Sequence, residues 1–276
     1  MKKTFLPTVA ATVLCLTAAA QNTFIHPWQG KRVAFFGDSI TDPRVKATNV
    51  QYWRYLADWL DITPIVYGWS GVQWNAVPIH VDSLLTRQGQ DFDAILIFLG
   101  TNDYNRGIPI GEWFRETLEP VTAARGKPAA EQVLKKREPM FTNETFKGRI
   151  NIALNLVKKT FPEKQVVLLT PIHRGYAKFG ANNIQPDENY VNDIGEYIDA
   201  YIDAIKEAGN LWAVPVIDLN AVSGLFPLAE GLGIYFDGGQ LDSERPDFLH
   251  PNAKGHRRMA LTLYYQLLTI PCDLKE

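Results

Sequence analysis

The chain has 276 residues, 46% hydrophobic, 21% charged and 12% aromatic, a balance that excludes a disordered, collagenous or disulfide-knot protein. Lys and Arg number 28 against 30 Asp and Glu, and this net charge of −2 with no block of like charges argues against a nucleic-acid binder. At the N-terminus Lys2 and Lys3 precede an apolar stretch from Phe5 to Leu16, and Ala18-Ala19-Ala20 supplies the small residues that a signal peptidase reads. The stretch is shorter than the ~20 residues that span a bilayer. Residues 1–20 are therefore expected to be an export signal, leaving 21–276 as a periplasmic or extracellular protein without stable membrane insertion. Cys272 is then the sole cysteine, so no intramolecular disulfide is expected.

Past the signal, short apolar runs alternate with longer helical patterns. Arg32–Phe36, Pro64–Tyr67, Ala94–Leu99, Gln165–Leu169 and Ala213–Ile217 read as strands, nearly continuously apolar as in sheets covered on both faces. Helices are expected near 50–60, 144–160 and 187–208, with 253–268 closing the chain. This βαβ rhythm predicts one three-layer α/β domain around a five-stranded, mostly parallel sheet, with functional groups at the carboxyl ends of the strands. Segments 105–143 and 218–249, rich in Gly and Pro, leave strand ends and read as insertions bordering the site. The triplet Lys135-Lys136-Arg137 within the first reads as a solvated helix face.

Those strand ends carry the chemistry. The first runs into Gly37-Asp38-Ser39-Ile40, the third into Gly100-Thr101-Asn102-Asp103, and Asp247-Phe248-Leu249-His250 precedes the last helix. A hydroxyl attacks only when a base takes its proton and a carboxylate holds that base. In Asp247-x-x-His250 both side chains fall on one turn, where Asp247 can accept the Nδ1 proton and aim Nε2 at Ser39. Each group also has a plainer role: Ser39 and Asp247 as helix caps, His250 as a surface residue, Gly100–Asp103 as a tight turn. The rival Ser70 lies in a near-miss of the nucleophile elbow, with Val72 where G-x-S-x-G requires Gly. His26 lies in the first residues of the exported chain, His80 in an apolar stretch after the second strand and His256 inside the final helix, where packing or helix-end roles are expected. There is no C-x-x-C, H-E-x-x-H, P-loop or dinucleotide fingerprint, so neither metal nor cofactor is indicated.

Over essentially the whole mature chain these strings resemble the SGNH hydrolases, also called GDSL-type esterases and lipases. Gly37-Asp38-Ser39-Ile40 is similar to the nucleophile block, Gly71 in Gly68-Trp69-Ser70-Gly71 to the second block, Gly100-Thr101-Asn102-Asp103 to the third and Asp247-x-x-His250 to the last. The second block departs most, since the Asn often seen shortly before its Gly is missing. The resemblance implies a flavodoxin-like fold with Ser39, His250 and Asp247 as the catalytic triad. It also implies an oxyanion hole made of the N–H groups of Ser39 and Gly71 and the side-chain amide of Asn102.

For the substrate, the residues give only leanings. Trp69, Trp74 and Tyr104 follow strand ends and are candidates for a platform on which a sugar face stacks, and His173, after the fourth strand, for a further substrate contact. Trp53 and Trp59 share a helix face with Leu56 and Leu60 and are expected in the core. An acetyl ester on a carbohydrate fits best; a lysophospholipid or short-chain lipid ester, or glycan binding without catalysis, are the alternatives.

Overall fold

The computed structural model describes residues 25–229, 232–238 and 242–272. The export signal expected over 1–20 lies outside these residues.

The expected strands become β1 (Arg32–Gly37), β2 (Thr63–Gly68), β3 (Ala94–Phe98), β6 (Gln165–Leu169) and β9 (Val216–Ile217). They form one sheet in the order β2-β1-β3-β6-β9, and every neighbouring pair is parallel. Successive side chains of a strand point to opposite faces, and β1 shows the consequence. Val33 and Phe35 pack with Leu56 of α1 (Tyr52–Leu60) and Leu263 of α7 (Ala253–Gln266). Ala34 and Phe36 pack on the other face with Val81 of α2 (Val77–Gln88), Leu154 of α4 (Phe146–Thr160) and Ile202 of α5 (Ile198–Trp212). Both faces of the sheet are thus covered, which is why its strands carry no polar alternation. Trp53 and Leu60 are buried with Leu56, as the helical spacing of α1 requires. Chain order places β2 on one side of β1 and β3 on the other, so a crevice opens at their carboxyl ends, where ligands of such sheets bind.

Two of the differences from the sequence reading have local physical causes. The helix expected over 187–208 starts only at Ile198 and runs on to Trp212. Before it, Asp187 and Asn192 side chains accept backbone N–H groups of Asn189, Ile194 and Glu196, and these local turns compete with a helix. β9 is cut to two residues at the sheet edge, next to Pro215, which has no N–H to donate. Helix α2, not expected, follows the second strand.

The largest correction concerns the first insertion. Between α3 (Thr101–Asn105) and α4 stand β4 (Phe114–Ala123) and β5 (Ala130–Pro139), a ten-residue antiparallel pair. Lys135-Lys136-Arg137 is therefore not a helix face. Successive residues of β5 alternate sides, and Lys135 pairs with Glu116 while Lys136 pairs with Glu119. A second small hairpin, β7 (Ala177–Gly180) with β8 (Asn183–Gln185), was not expected either. No helix of the described residues is long and apolar enough to cross a membrane.

Candidate active site

The chain leaves β1 through a turn closed by its own side chain: Asp38 Oδ1 accepts the Ile40 N–H at 3.0 Å, and Asp38 O accepts the Thr41 and Asp42 N–H groups. Gly37 is required there, because a Cβ would run into Thr41. Ser39 stands at the tip, 8% exposed. Its Oγ lies 2.7 Å from His250 Nε2, and His250 Nδ1 lies 2.7 Å from Asp247 Oδ2. An ionised carboxylate can only accept. The proton therefore belongs on Nδ1, and Nε2 accepts from the Ser39 hydroxyl.

Asp247 is fixed from two sides. Its Oδ1 accepts the N–H groups of Leu249 and His250 at 3.0 and 2.9 Å. Its strand segment bridges to Ala177, with Phe248 N–H donating to Tyr176 O and Lys178 N–H to Pro246 O. The Phe179 ring then meets the His250 ring edge-on at 5.3 Å. Asn252 caps α7 directly after, accepting from Lys254 and Gly255 N–H. The capping expected as the plainer role of Asp247 is thus performed by Asn252.

The loop after β2 approaches Ser39 from the opposite side. Trp69 N–H donates to Gly37 O, and Ser70 donates both its N–H and its hydroxyl to Asp42 Oδ2. Burial would raise the Asp42 carboxyl, but the hydrogen bonds from Arg44 and Ser70 outweigh it and hold the group below its ordinary range. Ser70 is thus committed to a structural bond. Gly71 follows with φ +81°, a left-handed conformation that disfavours any other residue, and lines the cleft.

From the end of β3, Asn102 Nδ2 donates to Val72 O at 3.1 Å and comes within 3.4 Å of Asp38 Oδ2. Asp103 beside it is buried, accepting from Arg149 Nη1 at 3.0 Å and from Trp74 N–H at 3.1 Å. Burial raises its carboxyl to about 6, against the opposing pull of Arg149.

These residues open onto a cleft of about 1620 Å³, whose lining includes Ser39, Gly71, Asn102 and His250. Trp69, 52% exposed, is among the residues that line it. The other three candidate contacts are corrected. Trp74 is fully buried with its ring against Phe146. Tyr104 is buried too, its hydroxyl donating to Tyr190 O at 2.7 Å. Both stand in helical turns that follow those strands, Trp74 in the turn Trp74–Ala76 and Tyr104 in α3. His173 Nδ1 is engaged with Glu188 Oε1 at 2.6 Å and its ring with Phe226, and it does not line the cleft. The walls are supplied instead by groups that the sequence did not single out, among them Lys46, Arg106, Lys178 and Phe179. The second insertion borders the cleft through Asp237 and Arg245, whereas the first does so only at Asn105 and Arg106. Among the described residues no group of His, Cys, Asp or Glu is arranged to hold a metal ion.

The other histidines are part of the core. His80, packed between Phe36 and Tyr67 with no partner for Nε2 among the described residues, is lowered by burial to about 4. His256, stacked on Tyr52, is lowered to about 3.

Comparison with known proteins returns the same architecture. The solved structure of a protein from Lactobacillus plantarum is 22% identical with a TM-score of 0.62, over 87% of this chain and 97% of its own. That of a possible lipase from Chitinophaga pinensis is 20% identical with a TM-score of 0.62, over 86% and 97%. No curated protein matches the chain. The model of the GDSL-like lipase/acylhydrolase family matches residues 35–258, from β1 to the final helix. With the sheet and strand-end loops in place, the chain belongs to the GDSL-like lipase/acylhydrolase family.

Proposed function

We propose that the protein is a serine esterase working through an acyl-enzyme, with an acetyl ester on a carbohydrate as its substrate. The observation that carries the first part is the unbroken chain of 2.7 Å contacts from Ser39 through His250 to Asp247 at the floor of an open cleft. His250 Nε2 takes the Ser39 proton as Oγ attacks the ester carbonyl. The charge that develops on the carbonyl oxygen is met by the N–H groups of Ser39 and Gly71 and by Asn102 Nδ2. One N–H of that amide stays on Val72 O and fixes the side chain. The other, only loosely engaged with Asp38, turns to the oxyanion. The collapsing intermediate breaks the bond to the alcohol oxygen, which leaves with the proton from His250, and water repeats the sequence on the acyl-enzyme.

The carbohydrate part rests on the walls. The cleft is open and lined largely by polar side chains such as Asn105, Asn182 and Asn183, with Trp69 as an exposed ring. A long acyl chain needs a continuous apolar channel. The export pattern of residues 1–20 supports action on a substrate outside the cytoplasm.

The test is hydrolysis of p-nitrophenyl esters and acetylated oligosaccharides by the protein and its Trp69→Ala variant. Activity is expected to fall steeply from acetate to octanoate. Trp69→Ala should slow the oligosaccharide more than p-nitrophenyl acetate, which is too small to reach the ring. Equal or greater activity on octanoate or a lysophospholipid would move the substrate to lipid esters. No hydrolysis of any ester would leave glycan binding as the function.

A further inference from the structure

Behind Ser39 and Asn102 lies a buried cation that the steps above do not use. Arg174 follows β6 and is 2% exposed. Its Nη1 donates to Thr101 Oγ1 at 3.3 Å, its Nη2 to Gln185 Oε1 at 2.7 Å, and its guanidinium lies over the Tyr104 ring. Nε has no hydrogen-bond partner among the described residues. Arg174 and Asp38 both line one internal cavity of about 10 Å³, together with Thr101 and Leu249. The guanidinium thus grips the residue before Asn102, shares a cavity with the residue before Ser39 and, through Gln185, holds the β7–β8 hairpin that walls the cleft.

The need for a cation there follows from Asp38. Its carboxylate is buried, with Oδ2 3.4 Å from the amide nitrogen assigned to the oxyanion. An uncompensated anion at that place would hold the Asn102 N–H and repel the charge forming on the substrate, and both effects are strong where water is excluded. We propose that Arg174 is a positioning residue for acyl transfer: it neutralises Asp38 behind the oxyanion hole and so leaves the Asn102 amide free to turn onto the oxyanion. Burial raises the Asp38 carboxyl to about 6, against the Ile40 N–H and the nearby charge of Arg174. Arg174, lowered by burial to about 10, stays charged at neutral pH. The proposal rests on the esterase reading of Ser39 and Asn102.

The experiment measures kcat and KM on p-nitrophenyl acetate for Arg174→Met, Arg174→Lys and the pair Arg174→Met/Asp38→Asn, per active site titrated with an organophosphate that labels Ser39. Arg174→Met is expected to lower kcat per site by about 100-fold with KM within about threefold, whereas Arg174→Lys, which keeps the charge, stays within about tenfold. The pair, having lost both charges, should recover to within about tenfold of the parent. A purely structural arginine would lower the number of titratable sites and leave kcat per site alone. The proposal is overturned by parental kcat per site in Arg174→Met, or by a pair no better than that variant. If Arg174→Met does not fold, the pair decides alone: folded protein within about tenfold supports the proposal, and a larger loss or no folded protein overturns it. Failure of the underlying reading looks different, since Ser39→Ala would then keep its activity.

Discussion

The strand-end site and the β4–β5 arm are built on opposite terms. At the site side chains are held across long stretches of sequence: His250 by Ser39, Asn102 by Val72 and Asp38, Ser70 by Asp42, with only the Asp247–His250 contact local. The arm is held by itself. Its cross-strand pairs, Arg115–Glu138, Lys135–Glu116 and Lys136–Glu119, stand in water, and Leu118, Val121 and Val133 are exposed. Two strands with both faces solvated are marginal in isolation. The difference teaches that conformational precision in this molecule is concentrated where polar groups are buried and mutually satisfied. Substitutions at the two regions should therefore differ by orders of magnitude.

The largest effect is expected at the triad. Ser39→Ala and His250→Ala should each lower kcat by about 10⁴ or more, and the double variant should be hardly worse, since the two groups act as a unit. Rates multiplying in the double variant would break the dyad. Ser70→Ala, which removes only a bond to Asp42, should keep most activity and so separate the two serines.

Next comes the hole. Asn102→Ala is expected to cost about 10²–10³ in kcat, roughly 3–4 kcal/mol, with KM little changed, because the amide serves the transition state more than the bound ester. A change in KM alone would make Asn102 a binding or turn residue.

The contrast also explains what the sequence disclosed. The five central strands and the triad were legible because sheets buried on both faces leave continuous apolar runs, and the chemistry sits where those runs stop. Asp247 and His250, three residues apart, carry their geometry in their spacing. Arg149 and Arg174 were not legible, because a buried arginine far from its partners in sequence leaves no local pattern. Trp74 and Tyr104 misled for the converse reason: an aromatic ring after a strand end reads the same whether it faces the cleft or turns into the core. The arm was hidden by Pro120 and Pro139, which read as breaks although an exposed two-stranded ribbon has edges that tolerate proline.

A third measurement sets a buried titratable group of the body against the exposed charges of the arm. His80 titrates at about 4 in the folded protein, below its ordinary value of 6.5. Above pH 6.5 both folded and unfolded states are neutral there. As pH falls from 6.5 towards 4, the unfolded chain takes a proton that the folded one refuses, and stability is lost by about 3 kcal/mol in all. Asp38 and Asp103, raised to about 6, act in the opposite sense between 6 and their ordinary 3.8, gaining stability on acidification. The total curve hides the histidine, so the difference between parent and His80→Gln is the useful quantity. Measured by urea unfolding, the parent should lose about 3 kcal/mol relative to the variant between pH 7 and pH 4. A difference that does not change with pH would show that His80 is not held neutral.

The smallest effect is expected where the structure looks most elaborate. Phe114 and Pro139 face each other across the base of the arm, so residues 115–138 can be replaced by a two-residue Asn-Gly turn without stretching the chain. The excised segment includes all the cross-strand ion pairs of the ribbon, and exposed pairs of this kind contribute little because solvent screens them. It includes none of the residues that line the cleft, which from this insertion are Asn105 and Arg106 alone. The shortened protein should therefore melt within about 3 °C of the parent and hydrolyse p-nitrophenyl acetate with kcat and KM within about twofold. The first figure is the more demanding, because Trp113 at the base of the arm packs in the core and its indole N–H donates to Glu207 on α5. If excision disturbed that anchor, melting temperature would fall while kcat per titrated site held. A fall in kcat per site at unchanged melting temperature would mean instead that the arm reaches the reacting groups, and the separation between the two regions would be lost.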